Sequence, residues 1–256
     1  MVNPLETYRT YSKYYDDYIG SFSKDLEFYK SLINKNDSII EIGCGTGRVL
    51  RYFVEMDYTI TGVDISNEML EISNEMLEIC KAKLFHFISA NKLYVYNHDF
   101  SSAPFNKLFD IAIVTFYTFN YVSSPLIFLQ NVFTSLNDGA LIIIDLYYPH
   151  VFLNREIENK WIISEIKGNK KTIILKDKRW FENHIEHRIQ IFSINGIEEL
   201  INSSRVYYNP YEIKSLLKKA GFKNIQYTLN YRYDSFLDEI EEVDIKSENY
   251  IIKAEK

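Results

Sequence analysis

The run Ile39-Ile40-Glu41-Ile42-Gly43-Cys44-Gly45-Thr46-Gly47-Arg48 constrains this chain more than any other stretch. It predicts a short apolar strand with an acid near its end, a turn built on three alternating glycines, and then a helix. Glycine lets the backbone turn sharply there and leaves no Cβ between it and a ligand. A nucleotide-type cofactor is therefore expected across residues 43 to 47. The spacing narrows the choice. A dinucleotide site needs G-x-G-x-x-G, which brings a pyrophosphate to a helix N-terminus. Here the third glycine comes one position early, and Arg48 stands where the last glycine would be. Glu41, two residues before Gly43, would repel a pyrophosphate. A carboxylate at that point suits a ligand with cationic groups and no phosphate.

Further acids follow at further strand ends. Thr59 to Val63 reads as a second strand closed by Asp64, about 20 residues after the first glycine, the usual place for an acid that takes both hydroxyls of a ribose. Leu93 to Asn97 reads as a third strand, followed by His98-Asp99-Phe100. Phe109 to Phe116 gives a fourth and Ala140 to Asp145 a fifth. Strands alternating with helical stretches imply a parallel sheet whose ligand lies beyond the strands' carboxyl ends.

The pattern E-x-G-x-G-x-G at 41–47, followed by D-x-S-x-x-M-L at 64–70, resembles the class I S-adenosylmethionine (SAM) methyltransferases. The Tyr-rich piece 11–18 is similar to the N-terminal segment of a bacterial small-molecule group among them. The resemblance implies an α/β fold: a Rossmann-like seven-stranded sheet with an antiparallel β insertion, a lid, after the fifth strand. It also implies roles for particular residues. Glu41, Gly43, Cys44, Gly45 and Gly47 would form the cofactor loop, and Asp64 would hold the ribose. Ile65 and Met69 would lie near the adenosine, Asp99 would bond the adenine amino group, and Phe100 would lie against its ring. Thr115 and Phe116 would border the cofactor, while Tyr14 and Tyr18, spaced i, i+4, would close over its methionine end.

The resemblance divides the chain into a SAM-binding domain, 1–149 and 208–256 with a helical cap at 1–36, and a lid at 150–207. The lid segment is rich in β-branched and aromatic residues and predicts four antiparallel strands near 161–167, 171–180, 185–194 and 197–207. Gly168-Asn169 and Asn195-Gly196 are hairpin signals, the second being the favoured type I′ pair. His187 alternates with Ile185, Ile189 and Ile191, which predicts an inward-facing side chain. The duplicated heptads Ser66–Ile72 and Ser73–Ile79 predict one amphipathic helix with Met69, Ile72, Met76 and Ile79 on a shared face. Near the end, Asn209, Pro210 and Glu212 announce a capped helix that Gly221 stops. Ile225 to Asn230 and Asn249 to Lys253 then predict a terminal strand pair.

Composition limits the partners. In 256 residues the formal charge is −6, and no basic cluster stands out, which argues against nucleic acid as a partner. No apolar run reaches membrane-spanning length and no signal peptide is evident, so a cytoplasmic enzyme is expected, and the abundance of Ile, Lys, Asn and Tyr suggests a bacterial one. The two cysteines imply neither a disulfide framework nor a metal site. The expected reaction is methyl transfer from SAM, leaving S-adenosylhomocysteine, to nitrogen or oxygen of a small metabolite such as a sugar or amino acid. The enzyme would be a monomer or homodimer. Tyr117, His150 and His187 are the candidates for contact with the methyl acceptor, with Asn120, Tyr147 and Tyr148 nearby. Two other readings stay open: a regulatory protein that keeps SAM as a structural ligand, and an aminopropyltransferase.

Overall fold

The computed structural model describes residues 19, 22–65, 75–149, 157–167, 172–246 and 248–256. In chain order these form α1 (Lys24–Ser31), β1 (Ile39–Ile42), α2 (Arg48–Glu55), β2 (Ile60–Asp64), α3 (Glu75–Ser89), β3 (Leu93–Asn97), β4 (Phe109–Val114), α4 (Pro125–Thr134) and β5 (Leu136–Tyr147). They continue as β6 (Ile162–Lys167), β7 (Thr172–Glu182), β8 (Ile185–Ile194), β9 (Ile197–Val206), α5 (Pro210–Ala220), β10 (Lys223–Thr228) and β11 (Asn249–Glu255).

Seven strands make one sheet in the order β10-β11-β5-β4-β1-β2-β3. The pairs from β5 through β3 are parallel, whereas β11 runs antiparallel to both β5 and β10. A sheet of this kind is covered on both faces, so its central strands read as unbroken apolar runs. Period-two alternation sorts their side chains. Ile40, Ile42, Ala112, Val114, Ile142 and Ile144 meet Phe128, Leu129 and Val132 of α4 and Ile213 and Leu217 of α5 on one face. Ile39, Ile111, Ile113, Ile143 and Ile251 meet α1, α2 and α3 on the other.

Local signals account for most boundaries. Asn209 accepts from the Glu212 backbone N–H at 2.9 Å, and Glu212 accepts from the Asn209 N–H at 2.8 Å, a complete capping box at the start of α5. The helix ends at Gly221 with φ of 110°. The fifth strand is longer than the sequence suggests, running from Leu136 to Tyr147 rather than from Ala140 to Asp145. Its partners supply the extension: β11 pairs with β5 from Asn249↔Tyr147 to Glu255↔Leu141, and β4 reaches its start through Phe109↔Leu136. Of the duplicated heptads, residues 66–74, Met69 among them, lie outside the described residues. In α3 the buried positions are Leu77, Cys80 and Leu84, with Met76 and Ile79 only half-buried. The stripe is thus shifted by one residue from the expected face.

The segment expected to be a lid forms the second sheet, a four-stranded antiparallel meander, β6-β7-β8-β9. Asn195 and Gly196 both have positive φ, 51° and 83°, in the β8–β9 turn, as a type I′ hairpin requires. Asn183 and His184 repeat that conformation between β7 and β8, with φ of 51° and 60°. One expectation is overturned here. Along β8 it is Glu186, Arg188, Gln190 and Phe192 that are buried, while Ile185, His187, Ile189 and Ile191 are half-exposed. His187 therefore lies on the outer face, its ring stacked on Trp180 at 5.2 Å. The inner face is largely polar because its charges are matched across strands.

Candidate active site

The carboxyl ends of β1, β4 and β5 bring Glu41, Thr115 and Asp145 side by side on the face covered by α1. Glu41 is 1% exposed. One of its oxygens accepts from Thr115 Oγ1 at 2.9 Å, and the other, Oε2, has no hydrogen-bond partner among the described residues. Burial pushes its pKa well above the usual carboxylate range, only partly opposed by the Thr115 bond and by Arg48. Asp145 is also fully buried, accepting from Tyr231 Oη at 2.7 Å and Asn249 Nδ2 at 3.0 Å. Burial lifts it to about 7 despite those donors. Arg48, at the start of α2, forms a two-pronged ion pair with buried Asp25 of α1. Three buried carboxyl groups thus share one guanidinium, a setting that favours a cationic guest.

The glycine loop follows Glu41 closely in the chain. Gly43 has φ of 79°, and a Cβ there would lie 2.2 Å from Thr118 Oγ1 and 2.8 Å from Thr118 Cβ. Gly43→Ala is expected to lose about 2 kcal/mol or more of stability in a denaturant titration, from left-handed strain plus overpacking. An unchanged midpoint would show that the Thr118 turn yields freely. Gly45 differs: its φ is 52° and among the described residues nothing lies within 4 Å of a Cβ built on it, so the open side of the loop is there. Gly47 is the N-cap of α2. The Cys44 side chain is buried, and its thiol pKa is raised by its hydrogen bond with Cys80 and by burial, which leaves it unreactive.

Asp64, at the end of β2, accepts from the Gly45 N–H at 2.7 Å and the Ile65 N–H at 2.8 Å. Burial raises it to about 6, with the two N–H bonds pulling the other way. Beside it the Ile65 side chain is 56% exposed, an apolar platform at the strand tip. At the end of β3, Asp99 accepts from the Ser101 N–H at 2.7 Å and Ser102 Oγ at 3.0 Å, so its own turn takes up part of its capacity. Phe100 is placed differently from the expectation that it lies against a ligand ring. It is 1% exposed, in the core against Phe128 and His98. The His98 ring reaches the Ala103 carbonyl at 3.0 Å and so anchors this turn.

After β4, Phe116 and Tyr117 both adopt left-handed backbone, φ 45° and 68°, rare for bulky side chains and typical of functional turns. Their rings stack at 5.0 Å. Arg48 lies 5.6 Å from the Phe116 ring, and Arg205 of β9 lies 5.5 Å from the Tyr117 ring. The pair therefore links the glycine loop to the lid. Asn120, expected near substrate, is instead buried and fully engaged: Nδ2 donates to the carbonyls of Tyr147 and Val206, and Oδ1 accepts from the Tyr147 N–H. It clamps the lid's last strand to β5. Tyr147 and Tyr148 are similarly occupied, donating to Glu186 and Glu242 at 2.6 Å each. Tyr14, Tyr18, Met69 and His150 lie outside the described residues.

A model of the methyltransferase domain family matches residues 11–227, most of the chain. The chain belongs to the methyltransferase domain family. Solved structures share the methyltransferase fold at low identity. A SAM-dependent methyltransferase from Clostridium acetobutylicum aligns with TM-score 0.73 and 17% identity, over 97% of this chain and 98% of that one. A methyltransferase from Streptomyces caelestis aligns with TM-score 0.75 and 14% identity, over 97% of both. An amino pentose methyltransferase from Micromonospora echinaspora, solved with SAM bound, aligns with TM-score 0.73 and 12% identity, over 96% of this chain and 97% of that one. No curated protein sequence matches.

Several residues of this candidate site are not singled out by the sequence motifs. Asp145 carries the same signal as Asp64, an acid closing a strand. Asp25, Arg48 and Tyr231 come together only through tertiary packing, and the lid ion pairs only through strand pairing. Among the described residues no cluster of His, Cys, Asp or Glu could hold a metal ion, and no helix is long and apolar enough to cross a membrane.

Proposed function

We propose that this methyltransferase uses SAM to methylate a nitrogen of a small metabolite that enters between the Phe116–Tyr117 turn and the lid. The observation that carries the reading is the orphaned Glu41 Oε2, buried beside an open glycine loop. A cation there satisfies it, and SAM offers an ammonium and a sulfonium. Asp64 keeps lone pairs free for the ribose hydroxyls, and the exposed Ile65 suits an adenine face.

The cofactor, when bound, supplies a methyl group activated on sulfonium sulfur. The chain's own part is alignment and exclusion of water, worth several kcal/mol by positioning alone. Arg48 holds α1 against the loop through Asp25, and the Phe116–Tyr117 pair walls the pocket on the lid side. An amine acceptor only has to be neutral, whereas a hydroxyl needs a base close by. His98, after β3, is tied into its own turn and His187 faces outward, which favours the amine.

Incubating the protein with SAM and pooled small amines and alcohols should yield S-adenosylhomocysteine with amine acceptors. Tight SAM uptake with no turnover on any acceptor would favour the regulatory reading, and transfer only to hydroxyls would overturn the choice of nitrogen. Aminopropyl products from decarboxylated SAM would point to the remaining alternative.

A further inference from the structure

The inner face of the lid has a chemistry that cofactor binding does not need. Cross-strand pairing lays it out in rows: Phe181–Glu186–Arg205, then Arg179–Arg188–Ser203, then Asp177–Gln190–Ile201. Asp177 accepts from both Arg179 and Arg188 at 2.8 to 2.9 Å. Glu186 takes Arg205 Nε at 2.6 Å on one oxygen, and Tyr147 Oη and Arg179 on the other. Glu248 lies 4.0 Å from Arg179 at the rim. Asp177 and Glu186 are the only carboxylates in these three inner rows, and they face three guanidiniums. Their needs are met mainly by Arg179, Arg188 and a single nitrogen of Arg205.

Arg205 is the asymmetric member. It is buried and stacked over the Tyr147 ring, 3.3 Å from its centroid, next to Tyr117. Only its Nε is engaged, with Glu186, and its two terminal nitrogens meet no acceptor among the described residues. A guanidinium held flat with its outer edge unused presents a fork that matches a carboxylate or phosphate. A second, independent observation lies further along the same face. Gln190 is 0% exposed, yet neither its amide nitrogen nor its amide oxygen has a hydrogen-bond partner among the described residues. Buried amides without partners are costly and uncommon unless a ligand or water completes them.

The geometry points to an anion-binding subsite under the lid: the methyl acceptor carries a carboxylate or phosphate that seats on the terminal nitrogens of Arg205, with a polar arm reaching Gln190. This rests on the small-molecule methyltransferase reading and names its substrate class. An amine bearing an anionic group would thus be held at both ends, the nitrogen near Tyr117 and the anion beneath β8 and β9.

The test uses the full chain with SAM bound, titrated calorimetrically with inorganic phosphate and with acetate at constant ionic strength, with the same titrations on Arg205→Gln and Gln190→Met. Saturable uptake of one of the two anions is expected, and which one binds separates a phosphate ester from a carboxylate acceptor. Arg205→Gln should weaken it at least tenfold. Gln190→Met should weaken it severalfold while the melting temperature holds or rises, because an unsatisfied amide is removed. SAM affinity should stay within about twofold in both, so a failure of SAM uptake would count against the cofactor reading and not against this one. Absence of anion uptake by the wild-type protein, or uptake that survives both substitutions, would overturn the subsite. If Arg205→Gln fails to fold, the wild-type and Gln190→Met titrations decide.

Discussion

Glu186→Gln is expected to destabilise the protein by about 3 to 5 kcal/mol, the range for removing one charge from a buried ion pair. Glu186 is buried and takes three donors: Arg205, Tyr147 and Arg179. Burial alone would raise its pKa, but Arg205, Arg179 and Arg188 outweigh burial and hold it below the usual carboxylate value. The sign of the pH dependence follows. A folded-state pKa below the unfolded one means that the unfolded chain binds protons first. The stabilisation is therefore complete above the unfolded carboxylate pKa and is lost as pH falls through the lower, folded one. The glutamine variant leaves Arg205 without a counter-charge and takes one of two close carboxylates from Arg179, and should lose part of the wild-type slope in acid. Replacing the pair by Glu186→Leu with Arg205→Met should recover most of the loss at neutral pH, because desolvating both charges is itself expensive. Urea denaturation of the three proteins at several pH values measures all of this. A single glutamine variant as stable as wild type would mean that the inner face of the lid is wet.

The parts of this molecule that could be read from sequence are those specified by neighbouring residues. The strand–glycine–helix unit at 39–55, the acid at 64, the capping box at 209–212 and the Asn195-Gly196 turn each rest on contacts within a few residues. The inner face of the lid does not. Ile185, Ile189 and Ile191 alternate convincingly, and a single strand offers no reason to bury Glu186 and Arg188 instead. The reason is supplied by Asp177 on one neighbouring strand and Arg205 on the other, 11 and 19 residues away. Asn120 is similar: as a polar residue after β4 it resembles a substrate contact, yet Tyr147 and Val206 claim its whole amide. The left-handed backbone of Phe116 and Tyr117 leaves no trace in residue type, since neither side chain favours it. Phe100 shows the converse limit. Its position after Asp99 matches a pattern, but the side chain packs inward on Phe128.

Asp64→Asn should weaken SAM binding by at least about 100-fold, since hydrogen bonds to a charged group contribute about 1.5 to 3 kcal/mol each and a ribose offers two hydroxyls. The folded chain's Asp64 carboxyl already accepts from Gly45 and Ile65, yet burial still raises it to about 6. The folded chain therefore holds an ionised group that is short of donors, and the ribose hydroxyls supply them. Because the ligand prefers the ionised form, protonation competes with binding. Affinity should be flat above about pH 6 and fall by up to tenfold for each pH unit below it. The opposite dependence, tighter binding in acid, would be expected if SAM needed Asp64 as a donor. Asparagine cannot titrate, so the variant should bind weakly with no break near pH 6. Calorimetric titrations of both proteins with SAM between pH 5 and 8 provide the comparison. A wild-type affinity unaltered across that range, or an asparagine variant that binds as tightly as wild type, would remove Asp64 from the cofactor site.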